Sequence, residues 1–162
     1  MLGIKRIMPT ALARPDRSQL SGETLQFMQR LWDVVHALDV RSKRMAKTLG
    51  VTGPQRLVIR VLGQSPGMMA SDIAGTLGMH PSTLTGIVSR LEGQGMLERR
   101  VDEADRRRIR FCLTPRGAKI DRERKGTVEA AVRRALQRAE DATVDRTSQM
   151  FELLTQELGR DD

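Results

Sequence analysis

After Gly95 the apolar residues of this chain stop recurring at steps of three and four and begin to alternate. MLERRV (96–101) and RIRFCLT (108–114) read as two strands, joined by the polar turn DEADRR (102–107). Ile109, Phe111 and Leu113 alternate with Arg108, Arg110 and Cys112, the period-two pattern of a half-buried strand. Helical patterns flank this hairpin on both sides. The expected fold class is therefore mainly α with a small β-hairpin wing.

The helices follow from their apolar spacing. Over residues 21–50, Leu25, Met28, Leu31, Trp32, Val35 and Leu38 mark one face, with Ser21 as N-cap and Gly50 as the stop. A second helix starts at Thr52-Gly53-Pro54, with Leu57, Val58, Val61 and Leu62 as its buried stripe, and ends over Gln64–Gly67. Residues 68–95 hold two short helices broken at Gly78-Met79-His80. Ile73, Ala74 and Leu77 line the first. Pro81 suits the first turn of the second, where its missing N–H is harmless, and Leu84, Ile87, Val88 and Leu91 form its buried face. Thr114-Pro115 opens a third helical region with Ile120, Val128, Val132, Ala135, Leu136 and Ala139 as its stripe. After a break near Asp141, a last helix aligns Val144, Met150, Phe151, Leu154 and Leu158. Only 2% of residues are aromatic, so aliphatic side chains and nine Met must fill the interior, which suits helices packed on helices.

Residues 68–95 have the spacing of a helix-turn-helix: a small Ala74 where two helices cross, a glycine-bearing turn, and a second helix with one hidden face. Its shown face carries Ser82, Thr83, Thr85, Gly86, Ser89 and Arg90. Short hydroxyls can approach base edges and phosphates, and arginine can bridge to guanine or phosphate. The hairpin adds Arg99, Arg100, Arg106, Arg107, Arg108 and Arg110, with Asp102, Glu103 and Asp105 near its tip. A basic two-stranded wing beside a helix-turn-helix can reach the neighbouring minor groove, whose narrow A·T-rich form attracts arginine. Asp105 is placed to hold the Arg107 guanidinium. The formal net charge of +8 fits a polyanionic partner, nucleic acid before membrane surface.

From about Gln55 to Gly117 the chain resembles the MarR (multiple antibiotic resistance regulator) family of winged-helix regulators, carried by ASDIAGTLGMHPSTLTGIVSRLEGQGMLERRVDEADRRRIRFCLTPRG. In that family the helix that begins at the position of Pro81 enters the major groove. An Asp-x-Arg at the wing tip, matched by Asp105-Arg106-Arg107, places an arginine in the minor groove. A Leu-Thr-x-x-Gly ending the wing is matched by Leu113-Thr114-Pro115-Arg116-Gly117. The resemblance implies a homodimer on double-stranded DNA and a repressor released from a pseudo-palindromic operator by a small aromatic or phenolic effector. The alternative is a constitutive architectural DNA-binding protein without ligand control. The expected organisation is an N-terminal arm over 1–20, a dimerisation lobe from 21–52 and 115–162, and a DNA-binding lobe over 53–114.

Candidate effector contacts are Trp32, His36 and Arg60, inferred from residue type and approximate position. His36 shares a stripe with Trp32 and Val40 and reads first as an edge of the dimer core, second as a partner for a ligand carboxylate. His80 lies in the helix-turn-helix turn, within reach of phosphate or solvent. Cys112, the single cysteine, reads as a structural thiol in a reducing, cytoplasmic protein. Two histidines, one cysteine and no glycine-rich phosphate loop offer no catalytic residues, no metal cluster and no cofactor site, so no enzyme is expected. No apolar run approaches the roughly 20 residues of a membrane span.

Overall fold

The computed structural model describes residues 20–160. The arm expected over 1–20 lies outside the described residues but for Leu20, as does the side chain of Ser21, the expected cap. In chain order the elements are α1 (Leu20–Leu49), α2 (Gly53–Gln64), α3 (Ala70–Leu77), α4 (Pro81–Gly93), β1 (Leu97–Val101), β2 (Ile109–Leu113), α5 (Pro115–Arg122), α6 (Val128–Leu136) and α7 (Asp141–Leu158). They fall into two compact units, one up to Ala37 and one from Leu38 on. In the first, α1 exposes Leu25, Met28, Trp32 and Val35.

The core of the second unit is drawn from Val51 to Phe111 and includes Val58, Ile59, Leu62, Ile73, Leu84, Val88, Leu91 and Leu97. Each such aliphatic side chain contributes about 1.5–3 kcal/mol on burial. α4 buries the four residues its periodicity marked, Leu84, Ile87, Val88 and Leu91. α2 departs from its expected stripe. Leu57 is exposed and Ile59 is buried, because the inward face runs through Gln55, Arg56, Val58, Ile59 and Leu62. Thr52 opens α2 through a capping box: its backbone N–H donates to Gln55 Oε1 at 2.8 Å, and the Gln55 N–H donates to Thr52 Oγ1 at 3.5 Å.

The expected third helical region is two helices, α5 and α6. Two local bonds separate them. The Glu123 carboxylate accepts from the backbone N–H groups of Arg124 and Lys125, both at 2.9 Å, turning the chain away from the helical path. Thr127 then starts α6 by accepting from Ala130 N–H at 3.2 Å.

β1 and β2 pair antiparallel in the register Leu97 with Leu113, Arg99 with Phe111, and Val101 with Ile109. Phe111 N–H donates to Met68 O at 2.9 Å and Gly67 N–H to Phe111 O at 3.0 Å, so the hairpin is anchored to the loop before α3. At the wing root, Thr114 Oγ1 donates to Gly95 O at 2.7 Å and accepts from Gly117 N–H at 3.1 Å, capping α5. A Cβ on Gly117 would stand 2.1 Å from Met96 O, which explains why a glycine follows Thr114 at this spacing. Gly117→Ala should destabilise the fold by about 1–3 kcal/mol through overpacking at the wing root, measured by chemical denaturation. An unchanged midpoint would show that β1 and α5 can move apart freely.

Candidate nucleic-acid interface

α3, the turn at Gly78 and α4 form the helix-turn-helix. Gly78 adopts φ +58°, a left-handed conformation that closes α3 without a Cβ penalty. Met79 N–H donates to Ala74 O at 2.9 Å across the turn. His80 is the N-cap of α4: its Nδ1 accepts from Ser82 N–H at 3.3 Å and lies 2.7 Å from Ser82 Oγ. With Leu84, Ile87, Val88 and Leu91 turned inward, Ser82, Thr83, Thr85, Gly86, Ser89 and Arg90 are all exposed. A Cβ on Gly86 would meet nothing within 4 Å, so this face is open to close approach by a partner.

The wing tip is built around Asp102, which sequence reading placed at the tip without a role. Its side chain is buried, with Oδ1 accepting from Ala104 N–H at 2.8 Å and Asp105 N–H at 2.9 Å and Oδ2 accepting from Arg110 Nε. The Arg110 hydrogen bond, followed by the two backbone donors, holds the Asp102 carboxyl below the usual carboxylate range. A depressed value means that this bond set is intact above the ordinary aspartate pKa and is lost as pH falls through the folded-state value.

The six hairpin arginines divide into two groups. Arg99 bonds Glu92 through two nitrogens and stacks 5.5 Å from the Phe111 ring centroid. Arg100 pairs with Glu98, and Arg110 joins Asp102 to Gly67 O. These three hold the wing to its own fold. Arg106, Arg107 and Arg108 stand at the tip and are exposed. Asp105 accepts from Arg107 N–H at 3.1 Å and from its Nε at 3.3 Å, the pairing that the Asp-x-Arg spacing predicted. The Arg107 side chain stays 93% exposed, so Asp105 orients it without withdrawing it from solvent.

The three candidate effector residues differ in their surroundings. Trp32 and His36 are exposed on α1. Arg60 is engaged: its Nη1 donates to Asp121 Oδ1 at 2.7 Å. Within the second unit, a groove of about 560 Å³ is walled by Leu38, Leu57, Val128 and Val132, with Arg56 and Glu129 at its side. Arg60 is not among its walls. Arg56, which sequence reading passed over, is 1% exposed. It donates to Glu129 Oε1 at 2.7 Å and to the carbonyls of Ile120, Asp121 and Glu123. Its only sequence signal is a charge beside the apolar stripe of α2. Cys112 is a half-buried free thiol paired across the hairpin with Glu98.

A helix-turn-helix followed directly by an arginine-tipped hairpin defines a winged helix. Residues 51–109 match the sequence profile of the MarR family, and that stretch carries the helix-turn-helix and the first strand of the wing. The chain is 30% identical over 90 residues to the HTH-type transcriptional repressor Rv2887 of Mycobacterium tuberculosis, covering 56% of this chain and 65% of that protein. The chain thus spans just under two thirds of the length of that curated relative. Among solved structures it resembles MepR of S. aureus in complex with DNA, with a TM-score of 0.64, 21% identity, and coverage of 82% of this chain and 95% of that one. It also resembles PcaV of Streptomyces coelicolor in complex with its natural ligand, with a TM-score of 0.59, 23% identity, and coverage of 90% and 96%. The curated relatives matched are named HTH-type transcriptional repressors or regulators. No described helix is long and apolar enough to cross a membrane.

Proposed function

We propose that the chain is a homodimeric, sequence-specific DNA-binding transcriptional repressor. The observation that carries this is the solvent-facing set on one winged helix: the Ser/Thr/Arg face of α4 together with the oriented Arg107 at the wing tip. Two copies would present their α4 helices to successive major grooves about 34 Å apart on a pseudo-palindromic operator. Arg106 and Arg107 would enter the flanking minor groove, with Asp105 fixing the second of them. Ser82, Thr83, Thr85, Gly86, Ser89 and Arg90 would lie along the bases. The relative named a repressor and the neighbour solved with DNA support the reading. The organisation that goes with it is a DNA-binding lobe over 53–114 and a dimerisation lobe from 21–52 and 115–162.

Release by a small aromatic or phenolic effector is part of the same reading, supported by the groove beside Arg56 and by the neighbour solved with its natural ligand. Trp32 and His36 stay candidate contacts on the exposed face of α1 in their own unit. Arg60 can serve an anion only by giving up Asp121. An effector acts by binding the DNA-competent and DNA-free arrangements with different affinity.

The test is a titration of DNA from the protein's own upstream region, at several salt concentrations, with and without a panel of aromatic acids. Arg107→Ala should weaken binding by about 1–3 kcal/mol and reduce the salt slope by about one unit, with the melting curve unchanged. Equal affinity of the variant and the parent would remove the wing from the interface. Release by no member of the panel would leave a constitutive binder.

A further inference from the structure

We propose that His80 fixes the hydrogen-bonding polarity of the recognition face, so that Ser82 and Thr85 present acceptors only and select adenine or cytosine on the strand they face. The inference rests on the DNA-binding reading above and adds to it a base preference and a positioning residue.

The argument begins with protons. The Ser82 backbone N–H is directed at His80 Nδ1 at 3.3 Å, and an N–H can only donate. Nδ1 therefore carries a lone pair, and the ring N–H is on Nε2. Ser82 Oγ lies 2.7 Å from the same Nδ1, and with that nitrogen accepting, the hydroxyl is the donor and shares the one lone pair with the backbone N–H. One turn further along, Thr85 Oγ1 lies 2.9 Å from Pro81 O, a carbonyl that can only accept. A hydroxyl has one proton, and both of these are committed inward. What the two exposed side chains offer outward is lone pairs.

Lone pairs discriminate among partners. Phosphate oxygens only accept, so neither hydroxyl can bond the backbone in this arrangement, which leaves the base edges. In the major groove the donors are the exocyclic amino groups, N6 of adenine and N4 of cytosine. Guanine presents O6 and N7 and thymine presents O4, all acceptors, which would set lone pair against lone pair. Ser82 and Thr85 are three residues apart and share one side of α4, so each meets its own base. The remaining His80 N–H, on Nε2 of an exposed ring, is a donor suited to a phosphate. Arg90, at the other end of the helix, supplies the donor that the hydroxyls lack.

The experiment is selection of duplexes from a library with randomised half-sites by the full chain, followed by competition titrations. Two positions per half-site should retain adenine or cytosine on one strand, with guanine or thymine there weakening binding about tenfold. Ser82→Ala should erase the preference at one position and Thr85→Val at the other. His80→Phe removes the acceptor and frees the Ser82 proton. The Ser82 position should then admit guanine and thymine, while the Thr85 position and the helical circular dichroism stay as they were. His80→Asn restores a capping acceptor and should restore the preference at the Ser82 position. Selection of guanine or thymine by the parent chain, or an unaltered base profile for Ser82→Ala, would overturn the proposal while leaving DNA binding intact. Failure to bind any library member would overturn both readings together.

Discussion

Arg56→Met should destabilise the protein by about 3–5 kcal/mol, the range for breaking a buried ion pair by removing one partner. The guanidinium is almost wholly buried and holds together three segments: α2 from which it projects, the C-terminal turn of α5, and Glu129 on α6. Replacing a buried ion pair by apolar groups is often nearly neutral when both charges go. That route is closed here, because the carbonyls of Ile120, Asp121 and Glu123 would lose their donor and methionine offers none. Glu129→Gln in the Arg56→Met background should therefore recover only part of the loss, as read by chemical denaturation. The pH dependence gives a second check. Burial raises the Glu129 carboxyl pKa, but its own backbone hydrogen bond and Arg56 outweigh this and hold it below the usual range. In the parent, that contribution is present above the ordinary glutamate pKa and falls away as pH drops through the folded-state value. Without Arg56, burial is opposed by less, so lowering the pH should relieve part of the deficit. A variant as stable as the parent at neutral pH would show that water serves these carbonyls equally well.

Position in the chain explains which parts of this fold were legible from sequence. The α4 stripe and the hairpin register depend on local periods of 3.6 and 2, and the structure keeps both. The two halves of the Asp105–Arg107 pair are two residues apart, and that pair too was readable. α2 was misjudged because its inward face is set by partners 64 to 73 residues away, which bring Arg56 inside and leave Leu57 out. Apolar spacing has no means of expressing a buried charge whose acceptors come from another helix end. The same limit hid the division of the wing arginines. Arg99 and Arg106 look alike in sequence, and only the placement of Glu92 on α4 separates a residue that fastens the wing from one that faces outward. For α5 and α6, one continuous apolar stripe concealed a break made by side-chain caps at Glu123 and Thr127.

On the proposed homodimer reading, deleting residues 141–162 should abolish dimerisation and lower affinity for a two-half-site operator by about 10²–10⁴-fold, the scale on which a second linked site adds to the first. α7 leaves Met150, Phe151, Leu153 and Leu158 exposed, and α1 leaves Leu25, Met28, Trp32 and Leu38 exposed. Soluble monomers rarely show contiguous apolar faces of this kind unless a partner covers them. None of the buried core cluster lies in α7, whose members run from Val51 to Phe111. The truncated chain should accordingly keep a cooperative melt while sedimenting as a monomer or aggregating. This separates loss of the second half-site from loss of the fold. The salt dependence makes the same distinction, since one winged helix neutralises about half the phosphates of two and the slope should fall in proportion. A single exposed residue cannot be expected to reproduce the effect, because removing one contact from an extended apolar face leaves most of its area to be buried. A truncated chain that stays dimeric in sedimentation and keeps its affinity would relieve α7 of any part in assembly and leave the α1 face to account for the dimer alone.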